Sequence, residues 1–135
     1  MLRDVDAAQA LADLTEISSQ IVQAAILAED GAVLSSTFDD DGRARRFAAG
    51  LERFLTEADA VRVAHGLPGL TQLEAATLEG SVFVVRGGDG GPVVAAVTRP
   101  EPTVGLVFYD LKHCLRSLDD EPEPRAQRRP ADATA

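Results

Sequence analysis

The chain has 135 residues, of which 45% are hydrophobic and 26% are charged, a composition typical of one globular domain with a hydrophobic core. Its 22 acidic and 13 basic residues give a formal net charge of -9 at pH 7, which opposes binding to nucleic acid or to an anionic membrane surface. A lone cysteine, Cys114, excludes an intramolecular disulfide, and residues 1–6 lack the pattern of a signal peptide. No apolar run approaches the roughly 20 residues that span a bilayer, so we expect a cytoplasmic protein without a membrane span.

The first predicted elements are a helix and a β-hairpin. Apolar residues recur at three- and four-residue spacing after Asp6, a candidate helix cap, and define helix one: Leu11, Leu14, Ile17 and Ile21. An apolar stretch from Ile21 is followed by Glu29-Asp30-Gly31 and then by a second stretch, AVLSSTF. Because an Asp-Gly pair can take the two positive-φ positions of a type I′ turn, this pattern predicts two antiparallel strands, strands one and two.

The central segment predicts a long amphipathic helix, helix two. Its apolar residues fall at offsets of 4, 7, 8, 11 and 14 from the first and form one wide stripe of Phe47, Leu51, Phe54, Leu55, Ala58 and Val61. Asp41 is the expected N-cap, and the Gly- and Pro-containing segment 66–69 ends the helix. The stripe is wider than one side of a five-stranded sheet needs, which indicates contact with another subunit.

The second half of the chain predicts three strands and a last helix. The strands cover 70–78, 81–86 and 93–98, and the last two lack polar alternation, so we expect both faces of the sheet to be covered. The Gly-rich segment 87–91 is a hairpin tip, because no Lys-Ser or Lys-Thr pair follows it as in a phosphate loop. Helix three begins near Thr103. We therefore predict one domain, 1–118, followed by a charged, Pro-containing, disordered tail, 119–135.

No residue pattern indicates a catalytic or metal site. Asp110, His113 and Cys114 share helix three, but the last two diverge by about 100° around it, which would leave a nucleophile without its base. Two histidines and one cysteine offer no spaced pair of zinc ligands. The acidic run 39–41 is not an EF-hand, because Gly50 stands where a Glu is required. We expect a protein that is not an enzyme and has no cofactor.

The predicted strand 70–78 is a candidate for pairing between subunits. It follows a linker and carries Gln72 and Glu74 among apolar residues, and an edge strand without a neighbour is a site for strand addition. Pairing with a second copy would cover this edge, whereas a monomer would depend on Glu74 and the linker to protect it. Closed homodimers are the commonest oligomers, so we expect a homodimer.

The order of elements, with the segments QLEAATLEGSVFVVR and PTVGLVFYDLKHCLRSL, resembles the roadblock/dynein light-chain domain in its small prokaryotic, actinobacterial-type form. The resemblance runs from about Asp6 to Leu118, with Gly80 and Gly105 at fixed points of the pattern. It implies an α+β fold, a roadblock/profilin-like three-layer α/β/α sandwich with a five-stranded antiparallel sheet. The implied order is helix-strand-strand-helix-strand-strand-strand-helix, with helix two on one face and the other two helices on the opposite face.

The resemblance also implies partners. Members of this family are typically homodimers joined through the third strand, with their second helices side by side, and many bind or regulate small Ras-like GTPases. Carried over to this chain, it implies two sets of dimer-interface residues: Leu70, Gln72, Leu73 and Glu74 on the third strand, and Leu51, Phe54 and Leu55 on helix two.

These features predict a non-catalytic homodimeric regulator or scaffold that acts in signalling by binding a small Ras-like GTPase. The alternative is a small-molecule-sensing α/β module, because sheets with helices on both faces also build ligand pockets. Arg43 and Arg46, at the start of helix two, are either candidates for an arginine finger or ordinary surface charge.

Overall fold

A computed structural model describes residues 4–87 and 90–119 of the chain. Its elements are α1 (Asp4–Ile17), β1 (Ile21–Leu27), β2 (Val33–Ser36), α2 (Asp41–Ala64), β3 (Gln72–Thr77), β4 (Gly80–Arg86), β5 (Val93–Thr98) and α3 (Val104–Asp119). The predicted tail from residue 120 onward and residues 88–89 of the Gly-rich segment lie outside the described residues.

The five strands form one antiparallel sheet in the order β2-β1-β5-β4-β3. The central strands β4 and β5 are buried along almost their whole length, which confirms that both faces of the sheet are covered. The short strand β2 and the strand β3 form the two edges. The element order and the α+β fold class predicted above are confirmed.

Successive side chains of each strand point into two separate cores. On one face α1 and α3 cover Phe83, Val85 and Val94, and on the other α2 covers Val84, Val93 and Ala95. Helix residues complete each core, with Leu11, Leu14, Val107 and Leu111 on the first face and Ala48, Leu51 and Leu55 on the second. This alternation is what a pleated strand buried on both faces requires, and the result is the three-layer α/β/α sandwich.

Two predicted helix boundaries are wrong. Asp6 lies inside the first turns of α1 and is not its cap, and Ile21 begins β1. The N-cap of α2 is Asp40, since its backbone is extended and its carboxylate accepts a hydrogen bond from the Gly42 amide at 2.9 Å. Asp41 instead occupies the first turn of the helix. Consecutive aspartates make such boundaries ambiguous in sequence, because only the backbone conformation decides which one caps.

The β1–β2 hairpin is confirmed, but its turn is not of type I′. Gly31 has a φ of 93°, whereas Asp30 is not among the described residues with positive φ. The Ala28 amide donates to the Ala32 carbonyl at 2.8 Å, and the Asp30 carboxylate accepts from the Ala32 amide at 3.0 Å. The longer loop lets Asp30 bond to the backbone without a left-handed conformation.

Candidate functional site

Strand β3 is an edge strand whose outer side has no strand neighbour within the described part of the chain. Five of its six residues are exposed, and only Leu73 is half-buried. Its pairing with β4 is regular from Gln72 to Thr77, so no bulge protects the edge, and Glu74 is its one charged residue. At about 3.3 Å per residue, this β3 edge offers roughly 20 Å of backbone for pairing.

The face of β3 that looks toward α2 is only partly covered. Leu73 pairs with Val84 and packs against the core beneath α2. Ala75 and Thr77 share this face by strand alternation, but they are exposed. They are exposed because α2 packs most closely against β2, at the opposite edge of the sheet. An apolar strip therefore continues from the core to the β3 edge.

Helix α2 adds apolar surface at its C-terminal end. Val61 and Val63 are 60% and 63% exposed, and Leu67, just after the helix, is 55% exposed. Val61, the last residue of the predicted stripe, therefore lies in solvent, whereas Val63 lies about 200° further around the helix, outside the stripe. This arrangement agrees with the expectation that the stripe is wider than the sheet requires.

The structure separates the predicted interface residues of α2 into two groups. Leu51 and Leu55 are buried against the protomer's own sheet, so their side chains belong to the core and have little surface to offer a partner. Phe54 is half-buried at the margin of the same core. Of the strand residues, Gln72 and Glu74 are exposed, while Leu70 and Leu73 are half-buried. Surface that a partner can contact is therefore retained by Phe54 and the four strand residues, and the interface itself stays a prediction.

A hydrogen-bonded ion-pair network holds the connection that leads into β3. Arg86, the last residue of β4, donates from one terminal nitrogen to both carboxylate oxygens of Asp59 on α2, at 2.8 and 2.9 Å. Its Nε donates to the Leu70 carbonyl at 3.0 Å, and Arg62 donates to Asp59 at 3.1 Å. We call this network the Asp59–Arg86 clamp. It ties α2 and β4 to the connection just before the β3 edge.

The clamp lowers the pKa of the Asp59 carboxyl below its ordinary value. The hydrogen bond from Arg86 is the largest cause; partial burial opposes it, and the hydrogen bond from Arg62 adds to it. Asp59 is therefore ionised at neutral pH, and the clamp is a charged pair. The sequence predicts only part of this clamp. The spacing of Asp59 and Arg62 predicts a pair on one helix, but Arg86 is 27 residues from Asp59 and only folding brings the two together.

The arginines at the start of α2 include one that already has partners on its own chain. The Arg43 guanidinium lies over the Phe38 ring, 5.5 Å from its centroid, and pairs with Asp39 at 3.6 Å. Phe38 in turn packs against Phe47. Arg46 is exposed. Arg43 thus has a local structural role, and an arginine-finger role for either residue stays a prediction.

Asp110, His113 and Cys114 line one groove between α1 and α3. Cys114 is buried, and its thiol donates a 3.7 Å hydrogen bond to the Ala10 carbonyl. Burial, with a smaller contribution from the charge of Asp13, raises the pKa of Cys114 to about 12. A thiol with this pKa is almost fully protonated at neutral pH, so it is a poor nucleophile.

The described residues provide neither a metal-binding cluster nor a membrane-spanning helix. No group of three or more His, Cys, Asp or Glu side chains in residues 4–87 and 90–119 is arranged to hold a metal ion. Over the same residues, no helix combines the length and the apolar character needed to cross a membrane.

The sequence matches no family model and no curated protein, but the fold matches solved structures. A roadblock/LC7 domain from Streptomyces avermitilis has a TM-score of 0.62 and 23% identity, over 83% of this chain and 95% of that one. MglB from Myxococcus xanthus has a TM-score of 0.74 and 13% identity, over 85% and 86%. A structure of MglB with a tetrameric arrangement has a TM-score of 0.70 and 13% identity, over 84% and 88%. The chain therefore has the roadblock/LC7 fold, as the sequence resemblance predicts. Within that fold it is similar to the Streptomyces domain and to MglB.

Proposed function

We propose that this chain is a non-catalytic, homodimeric regulator or scaffold that binds a small Ras-like GTPase through a surface built by two protomers. The observation that carries the proposal is the β3 edge, which is regular and exposed, and whose Leu73 packs against the core beneath α2. The family resemblance implies both the dimer and the GTPase. The tetrameric arrangement of MglB, which has the same fold, supports the proposal that this chain also assembles. The cytoplasmic location expected from the sequence is part of the same proposal.

The charge on β3 favours one register for the dimer. In a symmetric antiparallel pair that continues the sheet, the residue at the two-fold axis lies opposite its own copy. An axis at Glu74 would place two carboxylates directly opposite each other, which is destabilising. An axis at Ala75 instead places Glu74 opposite Ala76 and Leu73 opposite Thr77 of the second copy. Axes at Glu74 and Ala75 pair the longest part of β3 with its copy, and only the axis at Ala75 avoids this repulsion, so we propose the register centred on Ala75.

This register has a structural consequence for partner binding. The two sheets join as one ten-stranded sheet, and both α2 helices lie on the same face of it. Val61, at the exposed end of the α2 stripe, then flanks a composite surface that a single protomer does not possess. A GTPase in one nucleotide state would bind this surface more tightly than in the other, because a partner shifts the switch-loop equilibrium only through differential contacts.

Disulfide trapping tests the dimer and its register together. In the proposed register the Cβ atoms of the two Ala75 residues are about 4.5–5.5 Å apart, so Ala75→Cys should form an intermolecular disulfide under mild oxidation. Gln72→Cys is the matched control, because it is exposed on the same strand but its two copies would lie about 20 Å apart. The native Cys114 gives little background, since it is buried. Equal cross-linking of both variants, or of neither, would contradict the register.

A binding assay with a GTPase in defined nucleotide states tests the proposed partner. Purified chain would be mixed with a small Ras-like GTPase from the same genome, loaded with GDP or with a non-hydrolysable GTP analogue. We expect a complex in one nucleotide state and its loss in Ala75→Lys, which places two ammonium groups at the axis. Arg53→Gln, an exposed change on α2, is the control for a general charge effect. Binding that survives in a monomeric Ala75→Lys variant would contradict the need for a composite surface.

A small-molecule-sensing module is the second candidate, and one observation favours it. A groove of about 710 Å³ runs between β2 and the N-terminal half of α2, with Asp30, Arg45 and Glu52 among its lining residues. Its volume is within the range of ligand sites. A metabolite that raises the unfolding temperature, and whose effect Arg45→Ala abolishes, would support sensing over GTPase binding.

A further inference from the structure

A second groove lies on the face of the sheet opposite α2, between α1 and α3. It has a volume of about 430 Å³ and is referred to as the α1/α3 groove. Two large side chains in its lining, Ile17 and Tyr109, are 65% and 60% exposed. Apolar surface of this kind, at a concave site, marks a place for a docked segment. It is separate from the β3 edge, so an inference about it does not depend on the proposed function.

The rim of the α1/α3 groove is acidic. Asp13, Glu16 and Asp110 all line it. Asp13 accepts a hydrogen bond from Gln9 at 2.9 Å, and neither Glu16 nor Asp110 forms an ion pair with another residue in the described part of the chain. His113 is the one titratable nitrogen base in the lining. The complementary occupant is therefore a segment that carries several cations together with apolar or planar groups.

The chain itself contains such a segment six residues after the end of α3, beyond the acidic stretch 119–123. Residues 125–129, RAQRR, hold three arginines and no acid. Helices α1 and α3 run antiparallel, since the Thr103 amide bonds to Gln20 just after α1 and the Cys114 thiol bonds to Ala10 earlier in α1. The chain therefore leaves α3 at one end of the groove.

The distances allow this segment to reach the whole groove. Along α3, Tyr109 and Asp119 are separated by ten residues, or about 15 Å at 1.5 Å per residue. The six residues from Asp119 to Arg125 can span up to about 20 Å. A tether this short gives an effective concentration on the order of 1 mM, so even a weak contact would be populated.

We propose that segment 125–129 docks in the α1/α3 groove of its own chain. Its arginines pair with the carboxylates of Asp13, Glu16 and Asp110, and one guanidinium covers the exposed ring of Tyr109. Any basic partner that uses this groove must then displace the segment. The docked segment therefore competes with external ligands for the groove and lowers their apparent affinity.

The chain supplies its own reporter for this contact. Tyr109 is the single tyrosine and the chain has no tryptophan, so intrinsic tyrosine fluorescence reports on the groove alone. Quenching by acrylamide, a neutral molecule, measures how accessible the ring is. The variant Arg125→Gln/Arg128→Gln/Arg129→Gln removes the charges of the segment. The matched control, Arg45→Gln/Arg46→Gln/Arg53→Gln, removes three exposed charges from α2 on the opposite face.

We expect the quenching constant to rise about twofold in the segment variant and to stay unchanged in the control variant. The same rise should occur in the wild-type chain when NaCl is raised from about 20 mM to about 500 mM, because salt screens exposed charge pairs. The variant Asp13→Asn/Glu16→Gln/Asp110→Asn, which removes the charges of the rim, should show the same rise in the quenching constant. Far-UV circular dichroism verifies that each variant is folded.

Two results would overturn the proposal. If the wild-type chain and the segment variant have equal quenching constants at low salt, the segment does not cover Tyr109. If protection is present but is lost on dilution of the wild-type chain, a second copy covers the groove instead. Protection that is independent of protein concentration and is removed by the arginine changes supports docking within one chain.

Discussion

Removal of the Arg86 guanidinium tests whether the Asp59–Arg86 clamp stabilises the fold beside the β3 edge. Arg86→Gln eliminates two hydrogen bonds to Asp59 and one to the Leu70 carbonyl. The Arg86 side chain is 17% exposed and that of Asp59 is 30% exposed, so the pair is only partly solvated. Hydrogen bonds to charged groups contribute about 1.5–3 kcal/mol and exposed ion pairs about 0–1 kcal/mol. We expect Arg86→Gln to lower the free energy of unfolding by about 2 kcal/mol.

The comparison variant is Arg62→Gln, which removes a more exposed contact with the same carboxylate, one turn away on α2. We expect it to cost less than about 0.5 kcal/mol, as for other helical surface pairs. Urea denaturation at one fixed protein concentration measures both, because the stability of a dimer depends on concentration. In a double-mutant cycle, Arg86→Gln and Asp59→Asn should couple by about 1–2 kcal/mol. Strict additivity of the two changes would refute the view that their contact stabilises the protein.

Three further predictions concern the pH dependence of the clamp, the backbone at Gly80 and the reactivity of Cys114. The pKa of Asp59 is lower in the folded than in the unfolded chain, so its stabilisation is complete above the ordinary aspartate pKa and is lost as pH falls through the folded value. The difference in unfolding temperature between the wild-type chain and Asp59→Asn should therefore shrink in acid; a difference constant with pH would contradict this. Gly80 has a φ of 146° and an added Cβ would collide with the Thr98 carbonyl oxygen, so Gly80→Ala should cost at least about 2 kcal/mol. Gly50→Ala, in open helical space, should be neutral or stabilising in the same urea titration, and equal effects would contradict the collision. Cys114, with its pKa raised to about 12, should react with a thiol reagent only on unfolding; fast labelling of the native chain would contradict its burial.

The sequence predicts the layers of this fold better than its local geometry. Long apolar runs made β4 and β5 predictable, because a strand buried on both faces needs no polar alternation. The prediction of a type I′ turn at Asp30-Gly31 was wrong. A longer loop accommodates the same Asp-Gly pair with a positive φ at Gly31 only. The residues of the turn alone do not determine the turn type, because the type depends on how the two flanking strands pair.

The candidate site was predictable only in part, for a related reason. Helical spacing shows that Leu51, Phe54 and Leu55 share a side of α2, but it does not show which of them face the sheet. Their burial depends on where α2 lies across the strands, and the structure assigns Leu51 and Leu55 to the core. The clamp depends on Asp59 and Arg86, which are brought together by folding. Contacts between distant segments leave no periodic signal in a single sequence.

Sedimentation equilibrium of the wild-type chain beside Ala75→Lys shows whether two protomers pair through the β3 edge. We expect a wild-type species of twice the 14.3 kDa protomer mass at micromolar concentration, and a variant that sediments as the protomer while remaining folded. A wild-type chain that sediments only at the protomer mass would contradict pairing through the β3 edge. A variant that remains a dimer would place the contact elsewhere on the molecule.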